Sequence, residues 1–204
     1  TVNYTSGAIS AAPAYAGSIK LVALNVTSGG SIPANIWPSS PSTLVNTFIV
    51  NSAAAGNIVG LPGSRTVNKV LDLKQGTLAL AGNTLTLVSG STIYRTENAS
   101  VTKTSGGISF PSDKNVTVVY QPTAASAPGD ITTGIELPGE LSKLVITRSA
   151  NVGNALITVN SAVTVNDSLL IRNNLTANFQ VTAKGAVKIE KDNYSNATDP
   201  VVSF

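Results

Sequence analysis

The chain has 204 residues, of which 11% are charged and 42% hydrophobic, and its formal net charge is +3. It contains no Cys, no His and no Met. Those absences exclude disulfides, thiolate and imidazole metal sites, thiol nucleophiles and imidazole general bases.

An ordinary soluble domain carries roughly 25% charged residues. A surface with so few must be wetted by Ser, Thr, Asn and Gly, by attached sugar, or be covered by neighbouring copies. The 13 Lys and Arg are spread singly, with no basic stripe and no aromatic platform, so no nucleic-acid partner is expected. No run of about 18 apolar residues occurs, so no membrane span is expected. Aromatics are 5%, which predicts a core of Val, Leu, Ile and Ala. A chain that begins at Thr1 and lacks Met reads as a processed, mature protein; a fragment of a longer one is the alternative.

Residues 1–17 (TVNYTSGAISAAPAYAG) are small, uncharged and weakly alternating. Alone, such a segment cannot bury enough surface to stay folded. It is expected to be an extended N-terminal arm that orders by adding a strand to another subunit's sheet. Val2, Tyr4, Ala8, Ile9 and Tyr15 would be its donor residues. A tail without fixed structure is the alternative.

Period-two patterns then dominate, crowded with β-branched residues. They predict strands over 18–27, 43–50, 66–73, 77–80, 83–89, 91–96 and 115–120, and, further on, 141–147, 155–160, 162–171, 175–182 and 186–190. Gly- and Pro-containing turns such as Ser28-Gly29-Gly30, Leu61-Pro62-Gly63-Ser64 and Ala81-Gly82-Asn83 separate them. No window has helical spacing, so the fold class is all-β. Residues 121–135 (QPTAASAPGDITTGI) read as a linker between a first β-module, 18–120, and a second, 136–204.

The halves also repeat. FIVNSAAAGN (48–57) aligns with LVITRSANVGN (144–154), and TVNKVLDL (66–73) with TVNDSLLI (164–171). Repeats of this length imply a stacked β-solenoid or two β-sandwich modules in tandem.

Eight Asn-X-Ser/Thr sequons start at Asn3, Asn25, Asn98, Asn115, Asn166, Asn174, Asn193 and Asn196. About four would arise by chance from 19 Asn and 46 Ser plus Thr. The excess suggests a glycoprotein, with each acceptor on an exposed surface.

The segments QGTLALAGNTLTLVSGSTIYRT (75–96) and TTGIELPGELSKLVITRSANVGNALITVNSAVTVNDSLLI (132–171) resemble repeats of large secreted cell-surface proteins of gliding and biofilm bacteria. That resemblance covers about residues 43–190 and implies stalks and adhesins. The short chain with its small-residue arm also resembles subunits of extracellular donor-strand filaments, pilus- or thread-like, of archaea or bacteria. These resemblances imply an extracellular, cell-surface location and a homopolymer, with cell-surface or biofilm glycans as further partners.

The ten carboxylates fall mostly in turns or at strand ends, where solvated charge is the ordinary reading. A glycosidase needs two of them facing one sugar. Only Glu190 and Asp192 stand close by spacing. With Lys191, Asn193 and Asp199 they are also the nearest approach to a cation site, without EF-hand spacing. Trp37 reads as a core or loop anchor. No catalytic, cofactor or metal residue is expected. The expected function is a non-enzymatic subunit of an extracellular filament, joined by β-strand donation. Its alternatives are a stalk or binding module of a secreted adhesin and, less favoured, a polysaccharide-acting β-helix enzyme.

Overall fold

A computed structural model describes residues 1–6, 11, 13–15, 17–24, 30–38, 44–123, 129–148, 155–193 and 198–203. In chain order the strands are β1 (Val2–Tyr4), β2 (Ile19–Leu24), β3 (Gly30–Ser31), β4 (Val45–Asn51), β5 (Ile58–Gly60), β6 (Arg65–Val67) and β7 (Val70–Ala79). Then come β8 (Thr84–Leu87), β9 (Ser91–Arg95), β10 (Ala99–Thr102), β11 (Gly107–Ser109), β12 (Val116–Tyr120), β13 (Ile131–Thr132) and β14 (Glu140–Ile146). The last are β15 (Leu156–Val159), β16 (Val163–Ile171), β17 (Asn174–Ala177), β18 (Val181–Ala183), β19 (Ala186–Ile189) and β20 (Val202–Ser203). Among the described residues the sole helical piece is a 3-10 turn at Ala34–Ile36.

The fold is all-β, and its parallel sheets form a β-solenoid. Apart from β1 and β2, described strands adjacent in sequence do not pair with each other. Each pairs in parallel with a strand one coil away, so the connection that a parallel pair demands is supplied by strands of other sheets. The sandwich alternative needs antiparallel neighbours and is not what forms.

The chain divides into two compact units, Thr1–Ser91 with Asn98–Pro111, and Thr92–Glu97 with Ser112–Phe204. In the first, one sheet runs β1–β2–β4–β7, a second pairs β5 with β3 and β7 and β10 with β7, and a third runs β11–β8–β6. Strand β7 serves two sheets. Its residues 70–75 pair with β4 and residues 77–79 with β5, and the corner is Gly76, at φ +96°. A Cβ there would meet the Ser52 hydroxyl and would lie 3.0 Å from the Asn57 carbonyl, so the corner needs glycine.

The sequence pattern over 66–73 is divided. β6 stops at Val67, and the N–H groups of Asn68 and Lys69 turn to the carbonyls of Val45 and Asn46, at 2.9 and 3.0 Å. Strand β7 then continues through the segment read as a separate strand at 77–80. The corresponding 164–171 stays within one strand, β16, and absorbs the extra length as a bulge against Leu141–Lys143.

Stacking in register places like residues over like. Leu21, Phe48 and Leu71 form one column of the first unit, and Ala23, Val50 and Leu73 the next, all fully buried. In the second unit, Val118, Leu144 and Leu169 stack, as do Ile131, Ile157 and Leu175. Each buried Val, Leu, Ile or Phe side chain in these columns contributes about 1.5–3 kcal/mol. Trp37 is buried edge-on to Phe48, with ring centroids 5.1 Å apart, and the Arg65 guanidinium lies 6.0 Å from its ring.

Candidate assembly edges and glycan acceptors

Strand β1 is not a free arm. Val2, Asn3 and Tyr4 stand opposite Leu21, Val22 and Ala23 of β2 in the same chain. The reason lies in its alternation: Tyr4 is buried and Val2 half-buried against the first coil, while Asn3 between them is exposed. The Tyr4 hydroxyl donates to the Ser31 carbonyl at 3.4 Å. Tyr15 is half-buried, its hydroxyl donates to the Ile36 carbonyl, and burial raises its pKa. Ala8 and Ile9 lie outside the described residues. Among the described strands, β1 uses one edge only.

At the far end of the second unit, β18 and β19 pair with β16 and with no other described strand. All four residues of β19 are exposed; Val187 and Ile189 show 54% and 51% of their surface. This edge carries lysines, which blunt strand edges. Lys188 bonds the Glu190 carboxylate at 2.7 Å, and Lys184 stands 3.5 Å from Glu140. The β1 edge has none.

Of the sequon asparagines, Asn3, Asn98, Asn115 and Asn193 are exposed. Asn166 and Asn174 are half-buried with their amides engaged. Asn166 donates to Glu140 at 3.1 Å, and Asn174 accepts from the Val201 N–H at 2.9 Å. Asn25 and Asn196 lie outside the described residues.

The Glu190–Asp192 pair is split between two partnerships. Glu190 accepts from Arg172 Nε at 2.8 Å, and hydrogen bonds from Lys188 and then Arg172 hold its pKa below the usual range. Asp192 is buried, accepting from the Thr147 hydroxyl at 3.0 Å and from the Asn193 N–H at 2.9 Å, with Arg148 Nε at 3.9 Å. No group of three or more Asp and Glu converges to hold a metal among the described residues. No helix among them is long and apolar enough to cross a membrane.

Sequence reasoning missed a polar cluster inside the second unit. Glu136 is fully buried and Arg95 nearly so. Glu136 Oε1 accepts from Arg95 Nη1, from the Tyr120 hydroxyl at 3.0 Å and from the Gly134 N–H at 2.9 Å. Arg95 Nη1 also donates to the Thr132 carbonyl at 3.0 Å, and its guanidinium lies 6.0 Å from the Tyr120 ring. Burial, reinforced by the Glu136 charge, pushes the Tyr120 hydroxyl well above its ordinary pKa. The available signal was strand parity: Ser91, Ile93 and Arg95 share the inward face of β9.

Comparison with protein-family models, with curated proteins and with solved structures finds no match.

Proposed function

We propose that this protein is a non-enzymatic structural subunit of an extracellular filament, joined copy to copy by β-strand donation. The observation that carries the reading is β1: three residues, uncharged, seated on an open sheet. Between β1 and β2 no described residue belongs to a strand. The same contacts with β2 can therefore be made by β1 of a neighbouring copy, at little cost beyond the exchange itself. Burial of Tyr4 and part of Val2 offers about 2–4 kcal/mol per junction.

Exposure of Asn3, Asn98, Asn115 and Asn193 supports their role as sugar acceptors on the outer surface. The engaged amides of Asn166 and Asn174 make them poorer acceptors. The partnered carboxylates Glu190 and Asp192 favour a structural role over catalysis. A second reading, the stalk or binding module of a cell-surface adhesin, is favoured by the stacked parallel coils, a form suited to extended spacers.

Deleting residues 1–17 tests the first reading. The truncated chain is expected to fold and stay monomeric by sedimentation, while the full chain forms fibres under the electron microscope. Fibres from the truncated chain would rule strand donation out.

A further inference from the structure

The second unit carries a groove that the filament reading does not use. It begins as a depression of about 390 Å³ lined by Thr133, Gly134, Asn160 and Ser161, among others. One coil on lies a second depression of about 380 Å³, lined by Asn178, Phe179 and Gln180 between Ala177 and Val181. The two adjoin: Asn178 Nδ2 donates to Asn160 Oδ1 at 3.4 Å, and the Val163 N–H donates to the Gln180 carbonyl at 3.0 Å. Beside them, Thr132, Thr158, Thr176 and Ser203 stand in register on successive strands, a hydroxyl column with a rung about every 4.8 Å.

We propose that this corner binds a neutral, linear polysaccharide running across the coils. Two features select that ligand. First, none of the lining residues is ionisable, so neither an anionic nor a cationic polymer finds a counter-charge. Second, Phe179 is 53% exposed. An uncovered aromatic ring is the surface against which the C–H face of a pyranose packs, while the amides of Asn160, Asn178 and Gln180 both donate to and accept from its hydroxyl rim. Sugars of a β-1,4-linked chain repeat at nearly the strand spacing, so consecutive residues of one glycan can meet consecutive coils.

The test is titration calorimetry of the full chain with cellohexaose, mannohexaose and N-acetylated chitohexaose, and with polygalacturonate as the charged control. At least one neutral hexasaccharide is expected to bind. Phe179→Ala should weaken it ten-fold or more, and Asn160→Ala several-fold, with unchanged circular dichroism. Phe179 is exposed, so its loss leaves the core intact. Absence of binding to all three neutral sugars overturns the proposal. So does binding to polygalacturonate alone, or neutral-sugar binding indifferent to both substitutions. If Phe179→Ala alters sedimentation and leaves sugar binding untouched, the groove is a contact between copies and the proposal also fails.

Discussion

Arg95→Met is the sharpest perturbation of the second unit. It removes the guanidinium that bonds Glu136 Oε1 and the Thr132 carbonyl, while the carboxylate stays fully buried beneath it. Removing one partner of a buried ion pair costs about 3–5 kcal/mol, because the other charge is left uncompensated. Tyr120 and the Gly134 N–H still bond the carboxylate, at 3.0 and 2.9 Å, which places the expected loss at the low end of that range. Removing both charges in Arg95→Met/Glu136→Met should recover most of the loss, since apolar replacements of similar volume are often neutral. Tyr120→Phe alone should cost about 1.5–3 kcal/mol, the worth of one hydrogen bond to a charged group. Equilibrium urea unfolding followed by far-UV circular dichroism measures all three. A loss below about 1 kcal/mol in the single Arg95 variant, or a double variant no better than it, would refute the reasoning.

Further outcomes follow from other sites. Phe48→Ala empties a fully buried position between Leu21 and Leu71 and should cost about 3–5 kcal/mol in the same assay. Asp72 has its pKa raised by burial, against the pull of Lys74, and its Oδ1 is buried without a partner. A carboxyl with a raised folded pKa contributes stability at low pH that is lost as pH rises through that value. Asp72→Asn should therefore melt higher than the parent at pH 7, with the gain vanishing in acid. Glu190 and Glu140 behave in the opposite sense: Lys188 and Arg172 lower the first, and the Asn166 amide and Lys184 lower the second. Their contribution is present above the ordinary carboxylate range and is lost as pH falls through their folded pKa values, so Glu190→Gln should flatten the acid side of a melting-temperature profile.

Much of the architecture was legible because period-two alternation and inward-facing burial are the same fact. In β8, Leu85 and Leu87 point in and Thr84 and Thr86 out, as the sequence TLTL states. Parallel pairing was not legible, since alternation within one strand carries no information about its neighbour's direction; the repeat narrowed the choice to solenoid or sandwich without deciding it. Short strands such as β3, β5, β13 and β20 escaped notice because two or three residues show no period and form only when an adjacent coil supplies their partners. The break at Asn68–Lys69 escaped for a related reason, as it depends on carbonyls of β4. At the candidate edges, the small uncharged composition of residues 1–17 marked a segment that needs a sheet to lie on, but could not say whose. The burial of Arg95 and Glu136 escaped notice because a charge seldom enters a core unless it is paired. Their pairing joins residues far apart in sequence, which no local pattern reveals.

Strand donation can be read directly from a cross-link. Asn3 stands opposite Val22 in the β1–β2 register, and parallel neighbours about 4.8 Å apart lie within disulfide reach. The chain has no cysteine of its own, so an Asn3→Cys/Val22→Cys variant, assembled and then oxidised, reports a single contact on a non-reducing gel. The account predicts a ladder of covalently linked oligomers from fibres. Fibres whose chains are each closed on themselves, running only as monomers, would contradict it.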